Sequence, residues 1–285
     1  MSELAPRGAD LLFGPETGAR LLVAWTGVVV LLGLRIALGP YRAVAGTPDE
    51  LFDPVWVLGW LGGMPSTTVV VLVQVIGVAA AVAALVRRRP RAAFAVAWLC
   101  LLFLAGLRGS RGKVLHNDLL LLWCAVPFLL APLTARWSDR RPSRAHGWPV
   151  RSAIAIAAAA YALAGFHKLQ TAGIDWAIGD NVRYVLLWGA PSSDRWGDVS
   201  TWVADHAWAY KGTGLLILGV ELTFPLVVLW RRLQPWYAVA AVALHVATYL
   251  FLGLDYWLWA AVAVLLLVDW PTVADRVRGR VLDPR

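Results

Sequence analysis

The hydrophobic positions of this chain fall into long uninterrupted runs, with polar residues gathered in the intervals between them. Eight runs stand out: Leu21–Leu38, Ser66–Val86, Ala92–Leu107, Leu115–Thr134, Ser152–Leu169, Thr213–Trp230, Trp236–Leu252 and Tyr256–Trp270. A bilayer core of about 30 Å takes roughly 20 apolar residues per helix. The pattern therefore predicts an all-α polytopic transmembrane bundle of about eight spans, the third and last runs being the short ones. No 20–50-residue repeat and no low-complexity linker divides the chain, so residues 1–285 read as a single transmembrane domain with no separate soluble domain.

The polar intervals set the orientation. Eight spans put both termini on one side, and cytoplasmic loops are enriched in Lys and Arg. With the N-terminus inside, seventeen basic residues fall inside and seven outside, with Arg35 and Lys168 left within spans. The expected location is the cell membrane, with both termini cytoplasmic. The turn from Arg108 to Lys113 is the basic stretch that lands outside, and folding back onto the helix ends would give it a role there. Two outer intervals are long, Gly39–Pro65 and Gln170–Gly212. The second carries Trp176, Trp188, Trp196, Trp202 and Trp208 among Asp175, Asp180, Asp194, Asp198 and Asp205. Trp favours the membrane interface, so short amphipathic helices on the outer surface are predicted, as anchors or as a lid over a pocket. Met1 to Gly14 lacks a basic n-region and a cleavage site, and the first run reads as a retained helix.

Composition agrees. Charged residues make up 15% of the chain, against roughly 25% in soluble domains, and the mean hydropathy is +0.63. The net charge of +8 is assigned to orientation; its basic clusters are short and lie between spans, so nucleic acid is not an expected partner. Cys100 and Cys124 sit in apolar runs, which gives neither a disulfide framework nor a Cys-x-x-Cys site.

Ionisable groups inside a span are costly and mark function by default. The candidates are Arg35, His116, Asp118, His167, Lys168, Glu221 and His245, and the predicted orientation puts all seven in the outer half. Lys168 carries the most information. The chain has three lysines, Lys113, Lys168 and Lys211, and otherwise uses arginine for positive charge. An ammonium can release its proton when desolvated, whereas a guanidinium effectively cannot. Lys168 is therefore a candidate general base, the alternative being a side chain snorkelling to the headgroups. Tyr161 shares its helix face, and Ala164 and Gly165 leave room beside it. His167 points about 100° away and reads as packing or secondary support. His116-Asn117-Asp118 opens a span: a helix cap and first-turn carboxylate account for Asn117 or Asp118, but poorly for His116. Glu221 is a partner for Arg35 or Lys168, and His245 is either a pocket group or a core histidine bonded to a neighbouring helix. No His-x-x-x-His or Glu-x-x-His pair exists, so no metal is expected.

Tyr161-Ala-Leu-Ala-Gly165-Phe-His-Lys168-Leu169, followed by Gly173-Ile-Asp-Trp176 and Gly179, resembles the signature of the horizontally transferred transmembrane (HTTM) domain. This is the membrane module of vitamin K-dependent gamma-carboxylases and their bacterial relatives. His116-Asn-Asp-Leu-Leu, Glu221-Leu-Thr-Phe-Pro225 and the His245 helix ending at Leu252-Gly253 resemble further stretches, over about residues 20–270. The resemblance implies that Lys168 deprotonates reduced vitamin K or menaquinone, with His116 at the same centre. Oxygen then yields a strong base and the quinone epoxide, and carbon dioxide traps a glutamate carbanion. Arg35, Asn117, Tyr161, His167, Glu221 and His245 would line the site. The domain with which gamma-carboxylases grip their protein substrate has no counterpart in these 285 residues, and quinol chemistry needs only the bundle.

Two further readings stay open: a non-catalytic membrane protein that binds a quinone or lipid or supports a protein partner, and a small-solute transporter. The transporter needs polar residues in the inner half, where Gln74 is nearly alone.

Overall fold

The computed structural model describes residues 8–112, 116–190 and 196–282, with side chains from residue 11 to residue 278. Arg7, Lys113, Leu115, Asp194, Arg195 and Arg285 lie outside the described residues. Among those described there is no strand, only an isolated bridge between Glu16 and Ser143. The α-helices are α1 Gly8–Phe13, α2 Gly18–Leu38, α3 Thr67–Leu85, α4 Pro90–Gly109, α5 Leu119–Leu129, α6 Arg144–Ala172, α7 Asp175–Ile178, α8 Asn181–Gly189, α9 Gly197–Asp205, α10 Ala207–Thr223, α11 Leu226–Leu229, α12 Gln234–Leu252, α13 Trp257–Leu267 and α14 Trp270–Leu282. Five segments are long and apolar enough to cross a membrane: Gly18–Leu38, Thr67–Leu85, Pro90–Gly109, Arg144–Ala172 and Arg231–Leu252. Counting the broken pair Trp257–Leu267 and Trp270–Arg278 as one span makes six.

The run lengths differ from the sequence expectation in an instructive way. The third run is not short: α4 has 20 residues, because Pro90 starts it, in a position where a missing N–H costs nothing, and Arg108 and Gly109 continue it. The fourth run is the short one, as α5 has 11 residues, about 17 Å of helix. The sixth run breaks. α10 ends at Thr223, and Pro225 has no N–H for the carbonyl of Glu221 four residues earlier. That carbonyl is taken instead by the Phe224 N–H at 3.4 Å.

The chain divides into two compact units. The first comprises Pro15–Ala153 and Trp270–Arg285. Here α2 is capped by Thr17, whose Oγ1 accepts from the Arg20 N–H at 3.1 Å. α3 packs on both α2 and α4, and α14 also lies against α2. The close approach has a local cause. A Cβ on Gly77 would stand 2.8 Å from the Cys100 Cβ and 2.9 Å from the Ile36 side chain, so only glycine lets three backbones meet at this level. Gln74, buried one turn away, donates its amide to the Ile36 carbonyl at 2.8 Å. The Trp98 indole similarly donates to the Leu122 carbonyl at 2.9 Å, tying α4 to α5.

The second unit comprises Met1–Gly14 and Ile154–Asp269. Short helices α7, α8 and α9 occupy the Trp-rich interval. Val182, Leu186, Ala204 and Tyr210 form a small buried cluster there, covered by Trp176, Phe251 and Leu252. Trp188, Trp202 and Trp208 stay exposed. Tyr210 donates its hydroxyl to Asp180 at 2.8 Å, and that bond, with burial and the Asp180 charge adding, pushes its phenol up from the ordinary value.

Candidate functional site

The second unit builds one polar centre on α6 and α10. Gly165 decides how close the two helices come, since a Cβ there would stand 2.9 Å from the Glu221 Cβ and 3.2 Å from the Leu222 side chain. The room left by Gly165 is thus filled by α10, and this brings Glu221 against Lys168 one turn further along α6. The Lys168 ammonium donates to both Glu221 carboxylate oxygens, at 2.6 and 2.7 Å. The pair is asymmetric in access: the lysine side chain is 22% exposed and the glutamate 8%. Trp176 lies 5.0 Å from the ammonium, at cation–π distance. Of the two partners offered by sequence for Glu221, Lys168 is the one it takes.

Two turns before Lys168, on the same face, Tyr161 is fully buried. Its ring stacks on Phe224 of the α10–α11 break at 4.0 Å and 2°, and meets Trp259 of α13 edge-on at 5.5 Å. The Tyr161 hydroxyl and the His245 Nε2 are 2.8 Å apart. His245 is therefore bonded to a neighbouring helix, as one of its two readings had it. The imidazole is enclosed by Tyr161, Tyr256 and Trp259. Its Nδ1 is buried with no hydrogen-bond partner among the described residues, an unusual arrangement because buried polar groups are normally satisfied. His167 is exposed, away from the Lys168 face.

The first unit holds a second, more deeply buried centre. Arg35, in the last turn of α2, donates from Nε to the Asp118 carboxylate. Tyr41 adds its hydroxyl to Asp118 Oδ2 at 3.3 Å, and Arg108, in the last turn of α4, brings Nη1 to 3.7 Å from the same oxygen. Burial, with the Asp118 charge adding to it, pushes the Tyr41 phenol well above its ordinary range, so it remains a donor. Asp118 occupies the N-cap position of α5 but makes no side-chain cap bond. The capping explanation is corrected for Asp118, whose carboxylate is turned to the arginines instead. Asn117 is buried beside it and His116 is exposed. Of the basic turn, Arg108 continues the last turn of α4 and Arg111 is exposed.

A third group of buried charges escaped the sequence reading. Glu16 and Arg20 pair at 3.1 Å, and Arg151 reaches the other Glu16 oxygen at 4.0 Å. All three are at most 5% exposed. Arg20 and Arg35 sit at opposite ends of α2, about 22 Å apart along the helix. Buried charge is therefore not confined to one depth in this unit, which removes the shared-depth argument for its residues. The signal available in sequence was the i, i+4 spacing of Glu16 and Arg20; their place outside the apolar run made them look like solvated loop charges. Tyr41 and Arg108 were missed as ligands of Asp118 for the same reason. Among the described residues no group of three or more His, Cys, Asp or Glu is arranged to hold a metal.

The chain matches no family model, no curated protein and no solved structure.

Proposed function

We propose that this chain is a cell-membrane protein of the HTTM type, similar in chemistry to the membrane module of vitamin K-dependent gamma-carboxylases, that removes a proton from a lipophilic quinol. Eight crossings follow if α5, the broken α10–α11 segment and the α13–α14 pair each count with the five long helices, and the excess of basic residues then puts both termini in the cytoplasm.

The observation that carries the reading is the Lys168–Glu221 pair. In an apolar protein, an ammonium bonded to both oxygens of a buried carboxylate yet still about one-fifth exposed is a proton donor and acceptor set face to face. Proton transfer from Lys168 to Glu221 gives a neutral amine and a neutral acid. The amine then takes a proton from a quinol hydroxyl, leaving the quinol anion and a restored ammonium. The aromatic enclosure of His245 fits the same class of compound: flat rings suit a flat apolar ring, and the unfilled Nδ1 suits one of its oxygens. Reduced menaquinone or vitamin K, with oxygen and carbon dioxide as co-reactants, is the proposed chemistry.

The test is to incubate purified protein with reduced menaquinone, oxygen and bicarbonate and to follow the epoxide by mass spectrometry. Turnover that falls by about a hundredfold or more in folded Lys168→Ala protein supports the proposal; full turnover in folded Lys168→Ala refutes it. The tightness of the ion pair also favours a second reading, in which the pair only ties α6 to α10 and the protein binds a quinone or lipid without changing it. A lipophile that co-purifies and stays chemically unaltered would select that reading.

A further inference from the structure

We propose that Arg108, with Arg35 beside it, forms a binding site for a phosphate group at the end of α2 and α4, a site separate from the quinol chemistry above. The argument begins with how Asp118 is used. Its carboxylate is already engaged by Arg35 Nε and by the Tyr41 hydroxyl. Arg108 reaches it only at 3.7 Å, an ion-pair distance without a hydrogen bond. The Arg108 side chain is 15% exposed, yet its Nη1 is buried with no hydrogen-bond acceptor among the described residues. Two guanidiniums thus converge on one carboxylate, and the second has an unused donor.

The opposite end of the same unit matches carboxylates to guanidiniums in number, though His146 Nδ1 there also has no hydrogen-bond partner among the described residues. There Glu16 and Asp139 stand among Arg20, Arg151 and His146, two carboxylates for two guanidiniums and an imidazole. Both Arg35 and Arg108 lie in the last turn of their helices, where the backbone dipole offsets part of a positive charge. It supplies no acceptor for Nη1, because a dipole is not a hydrogen bond. The guanidinium fork matches the geometry of phosphate oxygens, and the partial exposure of Arg108 gives such a group a way in. The end of two long apolar helices is also where a lipid headgroup sits.

The experiment uses the full chain, purified in a maltoside detergent that carries no phosphate. Inorganic phosphate is titrated against chloride at constant ionic strength while thermal unfolding is followed. In parallel, native mass spectrometry counts the phosphatidylglycerol retained after delipidation, with diacylglycerol as the phosphate-free comparison. The site predicts a saturable rise in unfolding temperature with phosphate, or one retained phosphatidylglycerol and no retained diacylglycerol. The first identifies free phosphate as the source, the second a lipid headgroup. Arg108→Gln should weaken either by at least roughly tenfold, the loss of one charge-assisted bond, and Arg108→Lys should recover part of it. If wild-type protein shows neither a phosphate shift beyond that of chloride nor a retained phospholipid, the proposal is overturned. It is also overturned if Arg108→Gln binds as well as wild type. Menaquinone turnover is read separately, so the failure of one proposal leaves the other standing.

Discussion

Asp118 and Glu221, two of the buried carboxylates that face basic residues, are held in opposite styles. Asp118 sits among two arginines and a tyrosine, and both it and Arg35 are nearly sealed from solvent, at 2% and 3% exposure. Glu221 has a single lysine, shared over both oxygens, with the lysine open to 22%. A guanidinium holds its proton under all ordinary conditions, whereas an ammonium can give one up. The first centre can therefore fix charge and geometry but cannot move a proton through its cation. The second can. Residue type alone separates a tie from a candidate reaction centre, even where both look like ion pairs.

The contrast breaks most visibly at Asp118. Asp118→Asn leaves the buried Arg35 without its counter-charge, and the expected cost is about 3–5 kcal/mol of stability, read as loss of the folded species in a thermal or denaturant series. Lys168→Arg sharpens the other side. The arginine keeps the ion pair, so unfolding should shift by less than about 1 kcal/mol, while menaquinone turnover should fall by about a hundredfold or more if the amine is the base. Equal turnover in wild type and Lys168→Arg would reduce the Glu221 pair to a tie like that of Asp118. Tyr161→Phe removes the bond to His245 Nε2 within the aromatic enclosure and should cost about 1–3 kcal/mol, the price of a buried group left unsatisfied. The smallest effect is expected at the exposed Arg140–Asp275 pair, whose side chains are 48% and 52% exposed. Arg140→Ala should change stability by no more than about 0.5 kcal/mol, which marks the floor against which the buried centres are judged.

Much of the helical layout was legible because the cost of exposing backbone polar groups in lipid makes long apolar runs helical whatever their neighbours do. α2, α3 and α12 fall within a few residues of their runs. Hydropathy could not report where a helix stops. The shortness of α5 and the break before Pro225 are backbone matters, the second readable from proline itself. Lys168 stood out because lysine is rare in a chain that otherwise uses arginine, and Glu221 because it is ionisable within an apolar run. Their pairing required knowing that Gly165 lets α10 in. The ligands of Asp118 were harder: Tyr41 and Arg108 lie at helix ends, where a polar residue is ordinarily solvated and attracts no notice. Glu16, Arg20 and Arg151 were hidden in the same way.

The interruption at Pro225 has a mechanical consequence. Glu221 is carried on the final turn of a helix that ends at Thr223 before Pro225, so the segment bearing the carboxylate ends at a joint. In the proposed reaction the carboxylate trades a proton with its neighbour and must tolerate two preferred separations, one charged and one neutral, and a turn beside a joint can follow that change without dragging the rod behind it. Replacing the proline with alanine would splice the two pieces into one stiff shaft; the protein should then unfold later and, under the proposed reaction, turn over quinol more slowly.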